Sequence, residues 1–395
     1  MINIALLGHG VVGSGTAAVL NEKASQLKRV TGQDVALKYV LVRYDYDVDY
    51  KEKFVYDFSV IENDEDVRIV VEAMGGINPA LDYVTRALNK GKSVVTSNKE
   101  LVAQHGRQLM ELAKEKGVNF MFEAAVGGAV PVIHAVRNCL KANSVYAVAG
   151  ILNGTTNYIL TKMIDEGMSF DRALKQAQEL GYAEADPSAD VDGIDTCRKI
   201  CILSDIIFKN HIYPEDVAVE GIRNVHIEDV NILKKHGGCV KLLGVARKAG
   251  EKLMVTVAPF AVLEKGVIGA TDDVFNSVQV ETDNAGTMAF YGRGAGSLPT
   301  ASAVVNDICE CVTAGGPAYE GWNGPKEGFL ADVRQVPMRY YLRVEADADK
   351  LRADFEGAQV LHSGSETAVI TADICGRELE EKLSGYSVKA VLKVF

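Results

Sequence analysis

Asp195 and Lys199, four residues apart in GIDTCRKICIL, put a carboxylate and an ammonium on one face of any helix that contains them. Such a pair is either a surface ion pair or charge arranged around a substrate. The twenty residues from Gly181 to Ile200 carry five acids: Glu184, Asp186, Asp190, Asp192 and Asp195. Their plain alternative is a solvated acidic loop running into a surface helix. A second lysine, Lys99, closes the run SVVTSNK, so it lies just past a strand at the carboxyl edge where ligands of open α/β sheets collect.

Gly8, Gly10 and Gly13 form a G-x-G-x-x-G between an apolar run and a helical pattern, with Val11 and Val12 completing the loop. In that context the glycines allow a tight turn, and backbone N–H groups at the helix start approach a pyrophosphate. A dinucleotide is the implied ligand. A site for NAD usually carries an acid at the end of the second strand, but here VALKYVLV is followed by Arg43. A guanidinium there pairs with a 2′-phosphate, which favours NADP over NAD, with Asp45 and Asp47 close behind as opposing charges. His9 reads as an incidental turn residue.

The elements that must position these groups alternate. INIALLG, VALKYVLV, RIVVEAMGG, SVVTSN and NFMFEAAVGG are short apolar runs, mostly separated by helical patterns such as KELVAQHGRQLMELAKEKG. That alternation implies right-handed crossovers and a parallel sheet covered on both faces. The fold class is therefore α/β, a Rossmann-like doubly wound domain over residues 1–132. An α+β substrate-binding and dimerisation domain follows over 133–296, with PVIHAVRNCLK among its helices. After the glycine- and proline-rich linker GPAYEGWNGPKEG, residues 335–395 form a small C-terminal module.

Composition narrows the partners. A net charge of -11 without long like-charge blocks disfavours nucleic acid and anionic membrane, leaving small molecules. No run reaches the roughly 18 apolar residues of a spanning helix, and MINIALLGHG lacks the marks of a signal peptide, so a cytoplasmic protein is expected. Seven cysteines without a CxxC pair read as reduced, mostly buried hydrophobes.

GHGVVG at 8–13, TSNK at 96–99, EAAVGGAVP at 123–131, GILNGTTNYIL at 150–160 and GYAEADPSADVDGIDTCRK at 181–199 together resemble the homoserine dehydrogenases. The resemblance covers residues 1 to about 315, in order. It implies reversible reduction of L-aspartate 4-semialdehyde to L-homoserine by NAD(P)H, in threonine, methionine and isoleucine biosynthesis. By that resemblance Lys199 is the proton donor and Lys99 a second catalytic lysine. Glu184 binds the amino end of the substrate and Asp195 binds it directly, with Gly181 as a further contact; Asn153 and Thr155 sit where a helix begins, either as its cap or as contacts to the substrate carboxylate. Asp190 holds the lysine in place. Thr96, Ser97 and Lys99 join the glycine loop on the cofactor. Main-chain oxygens of Glu123, Val126, Gly128 and Val130 match positions that bind a monovalent cation, Na+. GAGSLPTAS at 294–302 resembles a returning glycine loop, with Gly296 near the cofactor, so that residues of about 297–315 rejoin the first domain.

The tail departs from the family. MRYYLRVEADADKLRADFEG begins like an ACT domain, but the ligand loop is missing and the module is short, a truncated ACT-like unit. Threonine feedback is therefore not expected. The rival readings are another amino-acid dehydrogenase of the same fold and a non-catalytic dinucleotide sensor. A homodimer or homotetramer is expected.

Overall fold

The apolar runs become strands because both of their faces are covered, which is why they lack a polar alternation. β1 (Ile2–Leu7), β2 (Val35–Leu41), β3 (Phe54–Val55), β4 (Val67–Glu72), β5 (Ser93–Thr96) and β6 (Phe120–Met121) pair in parallel in the order β3-β2-β1-β4-β5-β6. The computed structural model describes residues 1–263, 266–314, 316–318 and 320–395. Gly315, where the returning segment was expected to end, and Tyr319, within the linker, lie outside the described residues. The strand order reverses between β1 and β4, so a crevice opens beyond their carboxyl ends. Ile4, Leu6, Val40, Ile69, Val71 and Val95 fill the core beneath it, each contributing about 1.5–3 kcal/mol on burial.

The chain divides into two compact units. The first comprises residues 1–141, 201–214 and 293–325; the second comprises 142–200, 215–292 and 326–395. The helix Ile194–Phe208 therefore begins in the second unit and ends in the first. In its last turn Asp205 accepts the Ile212 N–H at 2.8 Å and pairs with His211 at 2.6 Å. Burial pushes that carboxyl up to about 7.

The PVIHAVRNCLK stretch differs from the helix expected of it. One turn, Val132–His134, widens into a π-helical turn, Ala135–Cys139, and the segment belongs to the first unit. Ties at both ends account for this: the Glu123 carboxylate accepts the N–H groups of Ile133 and His134, and the Arg137 guanidinium donates to the Ala318 carbonyl.

The second unit is built on one mixed sheet. β7 (Val145–Ile151), β8 (Ala218–Val219), β9 (Cys239–Ala249), β10 (Lys252–Val262), β11 (Phe275–Thr282) and β12 (Thr287–Arg293) join β13 (Tyr340–Glu345), β14 (Gln359–His362), β15 (Thr367–Ile370) and β16 (Ser387–Val394). The order is β12-β11-β7-β9-β10-β16-β13-β15-β14, with β8 on β10. The tail was expected to stand as a module of its own. Instead β16 pairs with β10, and the tail completes a βαββαβ pattern within this sheet. A buried cluster locks it there, Arg343 and Tyr341 bonding Asp229 on the helix Ile227–Lys235. Among the described residues, no helix is long and apolar enough to cross a membrane. Cys197 and Cys201 are buried as expected, whereas Cys139 is exposed.

Candidate active site

Within the first unit the glycine loop is fixed by its own backbone. Gly8 has φ +97, and a Cβ on Gly13 would lie 2.2 Å from the Gly8 carbonyl oxygen. Gly10 begins the helix Val11–Glu22 with no side-chain cap, and the first turn carries no acid, so its N–H groups suit an anion. Val11 is exposed and Val12 packs on the core. The returning helix Ser297–Thr313 starts at Gly296, φ +118, and its Ser297 hydroxyl donates to the Val11 carbonyl at 2.8 Å.

Arg43 follows β2, is exposed, and among the described residues forms no ion pair. Asp45, one of the charges set against it, instead accepts from the Tyr56 hydroxyl. His9 is no incidental turn residue: it is 8% exposed, packs its ring on Tyr46 and hydrogen-bonds the Tyr50 hydroxyl at 2.8 Å. Burial lowers its pKa.

Beyond β5, Thr96 donates to the Glu72 carboxylate at 2.5 Å and accepts the Asn98 N–H at 3.0 Å. Ser97 N–H points at the Glu72 carbonyl. Asn98 then caps the helix Lys99–Lys116 through the Leu101 N–H, which places Lys99, half-buried, at its first position. Glu72, fully buried, also accepts the N–H groups of Met74 and Gly75, shaping the loop after β4.

Residues 123–130 form a tight buried turn. Gly128 has φ +56, and a Cβ there would lie 2.3 Å from the Gly294 carbonyl oxygen. The Val130 carbonyl accepts the Val132 N–H at 2.8 Å and the Glu123 carbonyl the Val126 N–H at 3.4 Å, each oxygen keeping a second lone pair. Burial pushes the Glu123 carboxyl up to about 7 despite its two N–H donors. Among the described residues no group of His, Cys, Asp and Glu could hold a metal, so a cation here would rest on main-chain oxygen.

In the second unit the charged helix face turns inward. Lys199 donates to Asp195 at 2.7 Å and to the Leu152 carbonyl at 2.7 Å, with the two side chains only 10% and 5% exposed. This is no surface ion pair. The Asn153 amide donates to Asp190 at 2.7 Å and to Asp195 at 2.9 Å, while its oxygen caps the helix Gly154–Glu166 through the Thr156 N–H. One side chain thus joins both acids to a rigid helix start. Thr155 bonds the Tyr182 carbonyl at 2.7 Å, tying down the loop on which Gly181, φ +75, and the exposed Glu184 sit.

The family pattern described as homoserine dehydrogenase matches residues 131–309, and that of the homoserine dehydrogenase NAD-binding domain matches residues 8–123. A homoserine dehydrogenase of Pseudomonas aeruginosa is 37% identical over 96% of this chain and 89% of its own length. One from Synechocystis is 42% identical over 79% and 73%. The crystal structure of a homoserine dehydrogenase from Thiobacillus denitrificans superposes with a TM-score of 0.91 at 33% identity, covering 100% of this chain and 98% of that one. The chain belongs to the homoserine dehydrogenase family.

It is accordingly an NAD(P)-dependent oxidoreductase interconverting L-aspartate 4-semialdehyde and L-homoserine. The readings as another dehydrogenase or a non-catalytic sensor fall away. Within this homoserine dehydrogenase framework the acidic block divides its labour. Asp186 accepts the N–H and hydroxyl of Ser188, and Asp192 pairs with Arg223, so both serve the loop. The sequence reading passed over Glu72 and did not find the partners of His9. An acid ending an otherwise apolar strand, in RIVVEAMGG, was the available signal for Glu72; His9 had none, because its tyrosines come from a distant loop.

Proposed function

We propose that the enzyme works with NADP, that Lys199 is the proton donor, and that Asp195 and Glu184 bind the substrate's charged groups. The observation carrying this is the buried Asp195–Lys199 pair, bonded at 2.7 Å and braced by Asn153. Burying two charges is costly unless they are paired and hydrogen-bonded, and this pair meets both conditions within one cluster of acids and an amide. When bound, the reduced nicotinamide supplies the hydride. Lys199 meets the developing alkoxide with charge and a proton, and Asp195 keeps its ammonium oriented. Asn153 and Asp190 are positioning residues, fixed by the 2.7 Å bond between them. Thr155 secures the loop that carries Glu184. Lys99, at a helix start past β5, is the second catalytic lysine, with Thr96 and Ser97 on the cofactor side.

Arg43 supports NADP, since it is exposed and, among the described residues, without an ion pair, while Asp45 is engaged by Tyr56. A homoserine dehydrogenase from a hyperthermophilic archaeon, 27% identical over 78% of this chain with a TM-score of 0.67, was solved in complex with NADPH. Initial rates of L-homoserine oxidation are expected to favour NADP. In Arg43→Ala the KM for NADP is expected to rise at least about tenfold, the worth of one charge-assisted hydrogen bond, with NAD little changed. Equal effects on both cofactors would remove the argument.

Glu123, Val126, Gly128 and Val130 are proposed to hold Na+ through their carbonyls, because the closed turn brings oxygen ligands together. Exchanging Na+ for tetramethylammonium, too large for such a turn, is expected to lower the melting temperature. An unchanged melt in both salts would rule the site out. Exposed Tyr146 and Tyr291, on β7 and β12, support assembly into a homodimer or homotetramer.

A further inference from the structure

A cavity of about 310 Å³ opens in the first unit, among residues to which the reaction assigns no role. Its size is that of a small-ligand site. Three cations line it, Arg137, Lys141 and Lys209, with Glu320 as the lining carboxylate. Arg137 is also 3.6 Å from Glu310, yet cations still outnumber carboxylates here, in a chain whose net charge is -11. We propose that this cavity is a binding site for a small organic anion, its carboxylate or phosphate head on the lysines and arginine and its apolar body against Ile206 and Trp322.

The backbone is specialised at two of the three cations. Lys209 takes the left-handed conformation, φ +63, which a non-glycine residue rarely adopts and which concentrates at ligand clamps and active sites. It is held there from both sides: its N–H donates to the Asp205 carbonyl at 2.9 Å and its carbonyl accepts the Asn323 N–H at 2.9 Å. Arg137 lies on the π-helical turn, a local widening common at functional sites, and its guanidinium is anchored by the Ala318 carbonyl. A guanidinium has five donors, so this anchoring orients it without exhausting it. The apolar wall is equally fixed. Trp322 is 5% exposed and its ring stacks on His211 at an interplanar angle of 17°. Glu320 at the same cavity repels an anionic head from its side, which sets the orientation of the occupant.

Trp322 is the single tryptophan of the chain, so intrinsic fluorescence reports on this cavity directly. Inorganic phosphate and butyrate are the two probes, titrated at constant ionic strength with saturating NADP present to occupy the dinucleotide site. A saturable fluorescence change is expected. Response to phosphate alone identifies a phosphate ester as the ligand class, and response to butyrate identifies a carboxylate. Lys209→Gln is expected to weaken binding about tenfold or more, as loss of a charge-assisted hydrogen bond does. Lys141→Gln, at an exposed position where folding is not at stake, is expected to weaken it in the same direction. No saturable change with either probe, or unchanged affinity in Lys141→Gln, would overturn the proposal.

Discussion

Lys199→Ala is expected to lower kcat by roughly 10²–10⁴-fold, the usual worth of a positioned proton donor, while NADP binding survives. The same substitution leaves Asp195 buried beside the Asn153 amide with its ammonium partner gone. Breaking a buried pair from one side costs about 3–5 kcal/mol, so a lower melting temperature is expected as well. The two effects separate in the double variant Asp195→Asn with Lys199→Met, which removes both charges at once. Its melting temperature is expected to recover part of the loss, whereas its turnover is expected to stay at the level of the single variant. Thermal melts, cofactor titration and initial rates on the three proteins decide between the roles. A single variant that turns over like the parent would move the proton to Lys99 or to water.

Gly13→Ala is expected to weaken NADPH binding by at least about 100-fold, equivalent to about 2.7 kcal/mol. A Cβ at position 13 would lie 2.2 Å from the Gly8 carbonyl oxygen and 3.0 Å from its carbon, both backbone atoms that cannot swing aside. The loop must open, and with it the arrangement of N–H groups at the start of the Val11–Glu22 helix. Gly10→Ala is the informative control. Nothing lies within 4 Å of a Cβ there, so the protein itself tolerates the methyl group and any loss of affinity comes from crowding the ligand. Gly13→Ala is expected to lower both the melting temperature and the cofactor affinity, and Gly10→Ala the affinity alone. A Gly13→Ala protein with the parent's dissociation constant would mean that the loop is not the pyrophosphate cradle.

The acidic stretch shows where reading a sequence stops. An i,i+4 spacing is a statement about one helix, and it puts Asp195 and Lys199 on a common face whatever the rest of the chain does. Whether that face met solvent or the interior was decided by Leu152 and Asn153, more than forty residues upstream, whose carbonyl and amide close over the pair. Asn153 caps its helix through the Thr156 N–H, a task its place in the sequence can suggest. Its second task, joining Asp190 to Asp195, depends on the approach of two separate segments. Asp186 found its partner two residues away in Ser188, a local turn that composition could suggest. Asp192 found Arg223, 31 residues on, which it could not.

The same division runs through the whole chain. Strand and helix alternation, the glycine spacing of the cofactor loop and the order of the family motifs are properties of neighbouring residues, and the sequence by itself determined the doubly wound sheet and the chemistry. Tertiary structure alone decided that the tail would join the second sheet through β16, that Glu72 would organise the loop after β4, and that Lys209 and Arg137 would face one cavity. Backbone propensity and side-chain periodicity act over a few residues. Partner choice among buried polar groups acts between segments that only folding brings within hydrogen-bonding distance.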